Sequence, residues 1–225
     1  MTAINVAVDA DKIVIATDSV SVCPSGQRSC RNKCLVDTHA RLAIAHCGLY
    51  GMSLQFDIAM LCGVLGNSLS DVLNNAPPLL RSHWKSTEES RPAGVPSGLF
   101  FAGANGKNRV AAYIASSYDN FEPRLLHAGY LWLMPGLRSL REAESKNTFE
   151  LGAKQMSGPA EFFPNQTPAA GPTPWSERLT RTVTRMRDQQ RENPGMIGGA
   201  IVRTYVCADY IDQRIIDQLP PKDPQ

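Results

Sequence analysis

The sequence predicts an α+β fold in which two antiparallel sheets pack together and helices are layered outside them. Three observations favour it: four short apolar segments come first, two helical segments follow, and a second group of strands precedes one more helix and a final strand. Runs of strands followed by runs of helices are typical of α+β proteins rather than of alternating βαβ units. The 225 residues, 43% of them hydrophobic, can fill one sizeable core. We therefore expect a single domain over residues 1–218 and a flexible tail over 219–225.

The first four strands are short. Ile4–Val8 and Ile13–Thr17 flank the turn residues Asp9, Ala10 and Asp11, which is typical of a β-hairpin. The polar segment CPSGQRSCRN follows and is interpreted as irregular. The stretch KCLVDTHARLAIAHCG then predicts a second strand pair around its Asp-Thr-His turn.

Two helices are predicted next. Apolar residues spaced three and four apart indicate a helix over residues 49–65. Ser68 or Ser70 can cap a second helix, which the Pro77-Pro78 pair interrupts or restarts.

Strands return in the second half of the chain. The Asn-Gly pair at 105–106 is a strong hairpin signal between two apolar runs. A further strand is expected over Pro123–Gly129, and a short helix over Leu137–Ser145. Most of residues 136–173 is rich in Pro and Gly and receives no firm assignment.

A third helix is predicted to begin at Pro174 or Ser176. Its apolar face comprises Trp175, Leu179, Val183 and Met186, and its arginines, Arg178, Arg181, Arg185 and Arg187, are interpreted as solvent-facing. The segment IGGAIVRTYV predicts a last long strand.

Composition excludes several classes of protein. The formal charge is +2 without a basic stripe, so we expect no nucleic-acid partner. No segment has the roughly 18 unbroken apolar residues of a membrane span, and no leader pattern opens the chain, so we expect a cytoplasmic protein with no membrane partner. The six cysteines would then be mostly reduced.

Thr2 is the first candidate for chemistry. Methionine aminopeptidases accept a small residue after Met1, so Thr2 can become the N-terminal residue. Such a residue carries a hydroxyl nucleophile and an α-amine, whose reference pKa of about 8 lets it accept a proton near neutral pH more readily than lysine, at about 10.4. This is the N-terminal-amine route to an activated nucleophile.

Asp18 and Lys33 are placed to support Thr2. An antiparallel hairpin returns Asp18, at the end of the second strand, to the start of the first. Lys33 opens the third strand, and an ion pair with Asp18 would keep its ammonium charged near the Thr2 hydroxyl.

The order of Thr2, IVIATDS, Lys33 and LAIAHCGLYG resembles the N-terminal-nucleophile hydrolases, specifically proteasome β subunits and bacterial proteasome-like ring peptidases. The likeness covers residues 2–66 best, extends to FFAGANGKNRVAAYIA, and includes the Gly-Gly step into the last strand. It implies a four-layer αββα sandwich of two antiparallel sheets.

The resemblance also implies roles for individual residues. Thr2 would be the nucleophile of a threonine-type peptidase, with Asp18 and Lys33 as its supporting pair. The remaining residues would form the oxyanion and support group, Cys47, Gly48 and Gly129, and the substrate-binding group, Val20, Ser21, Val22 and Leu49. The family further implies a peptide or unfolded polypeptide substrate, a homo-oligomeric ring and an unfoldase partner, without a cofactor or metal.

The chain departs from the family pattern at three places. Val20 stands where Arg or Gln often follows the Asp-Ser pair, HAGYLWLMPG offers Gly129 without the usual serine, and PGMIGG lacks the acidic residue and serine expected there. Two alternatives therefore stay open: a catalytically silent subunit that forms a structural or binding ring, and a hydrolase of small amides.

Other chemistries are less well supported by the spacing. Cys23, Cys30 and Cys34, with His39 and His46, lack the short Cys-x-x-Cys pair of structural zinc sites, although a Cys23–Cys30 redox bridge remains an option. Cys47 could act as a nucleophile with His127, whereas the adjacent His46 points to the opposite face of its strand. The glycine-rich segments GANGKN and IGGA do not have the strand-to-helix context of a phosphate loop.

Overall fold

The structure is a computed structural model that describes residues 2–22, 28–48, 59, 63–89, 97–134, 165–168, 175–193 and 195–219. Within these ranges the chain forms thirteen strands and two helices of more than one turn. The strands are β1 (Ile4–Val8), β2 (Lys12–Asp18), β3 (Val20–Val22), β4 (Arg28–Cys30), β5 (Cys34–Asp37), β6 (Leu42–Cys47), β7 (Gly98–Ala104), β8 (Val110–Ser116), β9 (Arg124–Leu125), β10 (Tyr130–Met134), β11 (Asn165–Pro168), β12 (Gly199–Cys207) and β13 (Ile211–Leu219). The helices are α1 (Leu69–Ser86) and α2 (Trp175–Glu192).

The strands form three antiparallel sheets. One has six strands in the order β11-β10-β1-β2-β12-β13, and another has five in the order β5-β6-β7-β8-β9. The third is a ribbon of β3 and β4. The predicted first hairpin is confirmed, with Ile4 opposite Thr17, and so are the pairs β5–β6 and β7–β8.

The two large sheets share one apolar core. Side chains of the six-stranded sheet, such as Val6 and Ile15, pack with Phe100 and Ile114 of the five-stranded sheet. Every residue of β1 is buried, which explains the almost unbroken apolar run in its sequence. Ile4, the first residue of β1, belongs to this core.

Each large sheet carries one described helix on its outer face. Met186 of α2 packs with Ala3, Ala16 and Ile201, and Val72 of α1 lies in an apolar cluster that includes Phe101. Ser68 caps α1, because its side chain accepts a hydrogen bond from the Asp71 N–H.

The predicted four-layer αββα sandwich is wrong for the described residues. Strands account for 46% and helix for 24%, with three antiparallel sheets and two helices, so each large sheet carries a single described helix rather than a layer of helices. The strand content is higher than predicted because the sequence does not predict β3, β4, β11 and β13. Their residues are mostly polar or partly exposed, so they lack the apolar runs by which strands were recognised.

Some boundaries also differ. The Pro77-Pro78 pair lies inside α1 without ending it, because the buried face of the helix, which includes Ala76 and Leu80, packs on the five-stranded sheet. The strand expected over 123–129 is replaced by the two-residue β9 and by β10, which starts at Tyr130. Leu219, assigned to the tail, is the buried last residue of β13. Of the helix predicted over 49–65, only Ala59, which is helical, and residues 63–65, which form a turn, are described. The helix predicted over 137–145 lies outside the described residues.

Candidate active site

The start of β1 and the end of β2 bring Thr2 beside Asp18. The Asp18 N–H donates to the Ala3 carbonyl at 3.2 Å, and the Ala3 N–H donates to Asp18 Oδ1 at 2.8 Å. Thr2 is buried, with 8% of its surface exposed, and Asp18 is completely buried. The residue that follows Thr2 is therefore fixed to the Asp18 carboxylate through both backbone and side chain.

Lys33 completes this cluster from the other large sheet. It lies just before β5 and is fully buried, and its Nζ donates to Asp18 Oδ1 at 2.8 Å and to the Val20 carbonyl. The Ala3 N–H and the Lys33 ammonium thus share one carboxylate oxygen. The structure brings Asp18 and Lys33 together, next to Thr2, as the sequence predicts.

The second Asp18 oxygen accepts a hydrogen bond from a segment that is not among the predicted site residues. The Gly198 N–H donates to Asp18 Oδ2 at 3.1 Å, and the Gly198 carbonyl accepts from the Ser19 and Val20 N–H groups. A Gly-Gly step before an apolar strand was the signal that could have indicated this contact. It implies a close backbone approach.

Gly199 cannot carry a side chain without disturbing this segment. Its φ is +75°, and a Cβ atom would lie 2.4 Å from Ser19 Oγ. That Oγ accepts a hydrogen bond from the Ala200 N–H at 2.9 Å, so it cannot move away without losing the bond. Ser19, Gly198 and Gly199 together fix the backbone on both sides of Asp18.

Burial dominates the electrostatics of the ion pair. It raises the pKa of the Asp18 carboxyl, against the charge and hydrogen bond of Lys33 and the Ala3 and Gly198 N–H groups, which lower it. It lowers the pKa of Lys33, against the Asp18 charge, which raises it. Each partner is therefore the main support for the charged form of the other. Removing either would leave a buried group that resists ionisation.

Cys47 and Gly48 lie beside Lys33. The Lys33 carbonyl accepts from the His46 N–H at 3.2 Å, and Gly48 leaves β6 with a φ of +106°. Gly48 is exposed, so its backbone can be approached from solvent. Cys47 is buried, its Sγ donates to the Gly98 carbonyl at 3.6 Å, and burial raises the pKa of its thiol to about 12. Such a thiol is a poor nucleophile at neutral pH.

The position of Gly129 contradicts its predicted role. Its N–H donates to the Val8 carbonyl at 2.9 Å, at the opposite end of β1 from Thr2. Six residues of extended chain separate these ends, roughly 20 Å. The β1–β10 register instead places Met134 opposite Ile4, so the far end of β10 is the one that reaches the site. His127 precedes Gly129 by two residues, which also argues against its pairing with Cys47.

The predicted substrate-binding residues Val20, Ser21 and Val22 form β3, which leaves the ion pair directly. They are half-buried and pair with β4. Ser21 Oγ accepts from Arg31 Nε at 3.0 Å. Leu49 lies outside the described residues, as does Cys23 of the redox bridge.

The described cysteines and histidines do not form a metal site. Across the described ranges, no group of three His, Cys, Asp or Glu side chains is arranged to hold an ion. Cys30, Cys34, Cys47 and Cys207 are free thiols. Helices long and apolar enough to cross a membrane are also absent from the part of the chain that the structure describes.

Comparison with known proteins adds no family assignment. The sequence matches none of the protein-family models, and no curated protein is significantly similar to it.

Proposed function

We propose that this protein is a proteasome-like, threonine-type N-terminal-nucleophile hydrolase that cleaves amide bonds in peptides. Thr2 becomes the nucleophile once the residue before it has been removed. The observation that carries the proposal is the fully buried Asp18–Lys33 ion pair, which shares an oxygen with the N–H of the residue after Thr2.

Such a pair is poorly explained by stability alone. Taking two charges out of water has a desolvation cost that their attraction often only balances, and well-packed apolar residues in their place are frequently as stable. A buried ammonium at the start of β1, where Thr2 lies, has a clear chemical use, however. It would stabilise negative charge as the Thr2 hydroxyl becomes an alkoxide during attack.

Thr2 and Gly48 have separate roles in the proposed reaction. The free α-amine of Thr2 takes the hydroxyl proton, directly or through one water, and Oγ1 attacks the substrate carbonyl carbon. The tetrahedral intermediate collapses to an ester on Thr2 when the amine returns the proton to the leaving nitrogen. Water, activated by the same amine, then hydrolyses the ester. The exposed backbone N–H of Gly48 is the proposed oxyanion donor, a contact that can lower the barrier by ~3 kcal/mol.

The peptide would bind as an extended segment along β3. This strand belongs to a two-stranded sheet and leaves the site directly, so a substrate strand alongside it would carry its carbonyl towards Thr2. The ring assembly and the unfoldase partner rest on the family resemblance and stay predictions.

The test combines intact mass with covalent labelling of the active site. The purified native protein is expected to begin at Thr2 and to be modified at Thr2 by a threonine-directed inhibitor, with loss of turnover on fluorogenic peptides. Thr2→Ala should abolish turnover and labelling while its thermal unfolding stays that of the wild type. Thr38→Ala, at an exposed turn position, is the matched control and should retain both.

Two results would contradict the proposal. One is a native protein in which Thr2 remains preceded by another residue, because Thr2 then has no free amine. The other is an unmodified Thr2 under saturating inhibitor. Either would leave a chain that has the buried ion pair but works as a silent subunit.

A further inference from the structure

Lys33 is held in place by contacts to its two neighbours in the chain. Asn32 Oδ1 accepts from the Cys34 N–H at 3.1 Å, so the Asn32 side chain spans Lys33. Both neighbours also contact Gln213, which lies on β13 at the edge of the other large sheet. One side chain of the six-stranded sheet therefore contacts both chain neighbours of the lysine.

The Gln213 amide makes three hydrogen bonds. Its Oε1 accepts from Asn32 Nδ2 at 2.7 Å. Its Nε2 donates to the Cys34 carbonyl and to Thr204 Oγ1, both at 2.8 Å. Because a carbonyl oxygen can only accept, the Cys34 contact fixes which end of the amide is nitrogen.

Thr204 extends this contact into the core. It lies on β12 directly opposite Gln213, and its Oγ1 also donates to Cys34 Sγ at 3.3 Å. Thr204 and Cys34 are both completely buried. The hydroxyl thus accepts from one residue and donates to the other, which locks the amide and the Cys34 side chain together.

We propose that Gln213 is a positioning residue for Lys33: its side-chain amide holds Asn32 and Cys34 so that the lysine Nζ reaches Asp18 and the Val20 carbonyl. Lysine has a long flexible stem and does not define the position of its own ammonium. When the backbone on both sides of Lys33 is fixed, its side chain can reach fewer positions. Supporting hydrogen bonds orient the groups of a reactive site in the same way. The consequence for turnover rests on the proposed function, whereas the effect on Lys33 itself does not.

The first experiment observes Lys33 directly. Protein with ¹⁵N-labelled lysine is titrated by NMR, and the Lys33 Nζ signal is assigned as the one missing from Lys33→Met. In Gln213→Leu, which keeps the approximate volume but removes all three hydrogen bonds, the Nζ protons should exchange faster with water. The pKa of Lys33 should also fall further below its ordinary value, because the contact with Asp18 is the main contribution that opposes the effect of burial.

The control is Gln218→Leu, the same substitution at an exposed position of the same strand. It should leave the Lys33 signal and its titration unchanged. Asp18 of β2, Arg31, which follows β4, and Cys47 of β6 also act on the Lys33 charge, and none of them is altered in either variant.

The second readout is steady-state kinetics on a peptide substrate. Gln213→Leu should lower kcat by about 10- to 100-fold, the usual scale for outer residues that orient a reactive group, with little change in KM. If Gln213→Leu does not fold, Thr204→Val gives a milder variant that removes only the hydroxyl, and it should shift the Lys33 titration in the same direction by less.

The two proposals fail in different ways. An unchanged Lys33 signal in folded Gln213→Leu would overturn the positioning role, whatever the kinetics. A shifted signal in a protein whose wild type has no turnover would support the positioning role and count against the proposed function.

Discussion

Two ion pairs of nearly equal length lie in very different surroundings. Lys33 and Asp18 are 2.8 Å apart and completely buried between the sheets. Arg81 of α1 and Glu122, which precedes β9, are 2.7 Å apart at the surface, with 35% and 65% of their side chains exposed. The distances do not distinguish the two pairs, so any difference in the cost of removing one charge must come from their surroundings.

The surface pair has water as its alternative partner. Either charge can be solvated when the other is removed, and dissolved salt screens their attraction. The buried pair has no such alternative, since neither side chain has any exposed surface. The Asp18 carboxylate accepts from backbone N–H groups, and the Lys33 ammonium donates to Asp18 and to the Val20 carbonyl. The comparison teaches that removing one charge is costly only where nothing else can solvate its partner.

Lys33→Ala is the variant that should show the difference between the two pairs most clearly. It leaves Asp18 buried without its cation, and the free energy of unfolding should fall by about 3–5 kcal/mol. Urea denaturation at pH 7 measures this loss. The double variant Asp18→Asn/Lys33→Met, which removes both charges, should lose less than Lys33→Ala. If Lys33→Ala lost less unfolding free energy than the double variant, the two charges would not depend on each other.

Under the proposed function, turnover in Lys33→Ala should fall by an amount equivalent to several kcal/mol in the barrier.

The stability of Lys33→Ala should also depend on pH in a defined direction. Burial already raises the pKa of Asp18, and loss of the lysine removes a contribution that lowers it. The folded state then binds a proton more readily than the unfolded state, so stability rises as pH falls from neutral towards the ordinary pKa of an aspartic acid. Urea titrations at several pH values test this. Stability that falls instead over that range, relative to Asp18→Asn/Lys33→Met, would contradict the assigned direction.

The same contrast applies to two thiols near the site. Cys47 is buried beside Lys33, whereas Cys30 of β4 is exposed. Burial raises the pKa of Cys47 from 9.0 to about 12, so its thiolate fraction at pH 8 should be about a thousandfold lower than that of an unperturbed thiol. Iodoacetamide labelling followed by peptide mapping should therefore modify Cys30 long before Cys47. Equal labelling of the two in the folded protein would contradict the burial of Cys47.

Local sequence patterns were sufficient to place Thr2 next to Asp18. The hairpin turn and the apolar runs fix the register of β1 and β2, and that register alone brings the two residues together. Lys33, just before β5, lies 15 positions after Asp18 in the chain. Contacts over such short separations are the ones that local sequence patterns predict best.

The rest of the site depends on pairings that the sequence does not express locally. Gly198 meets Asp18 from 180 positions away, and Gln213 meets Asn32 from 181. Strand β13 has partly exposed polar residues and no clear alternation, so it was not recognised. Gly129 was assigned by the likeness of a glycine turn, but the β1–β10 register places that turn at the wrong end of the sheet.

Gly199→Ala tests how rigidly the backbone around Asp18 must be held. A left-handed φ costs an alanine about 1–2 kcal/mol, and here the new Cβ would also meet Ser19 Oγ at 2.4 Å. Gly106→Ala is the matched control, since its φ is +85° but nothing lies within 4 Å of the added carbon. The difference in unfolding free energy between the two variants isolates the contacts with Ser19 and with Val20, whose Cγ2 lies 3.2 Å from the added carbon. Equal losses would show that these contacts do not constrain the site.

The smallest effect is expected at the surface pair. Glu122→Gln keeps the size of the side chain and removes only its charge, so Arg81 keeps water and the Asn120 carbonyl, 3.2 Å away, as partners. The free energy of unfolding should change by less than about 1 kcal/mol, and even less in high salt because the attraction is already screened there. Urea denaturation at low and high salt measures both values. The matching substitution at the buried pair, Asp18→Asn, should cost more and be insensitive to salt, because ions do not reach a carboxylate that has no exposed surface.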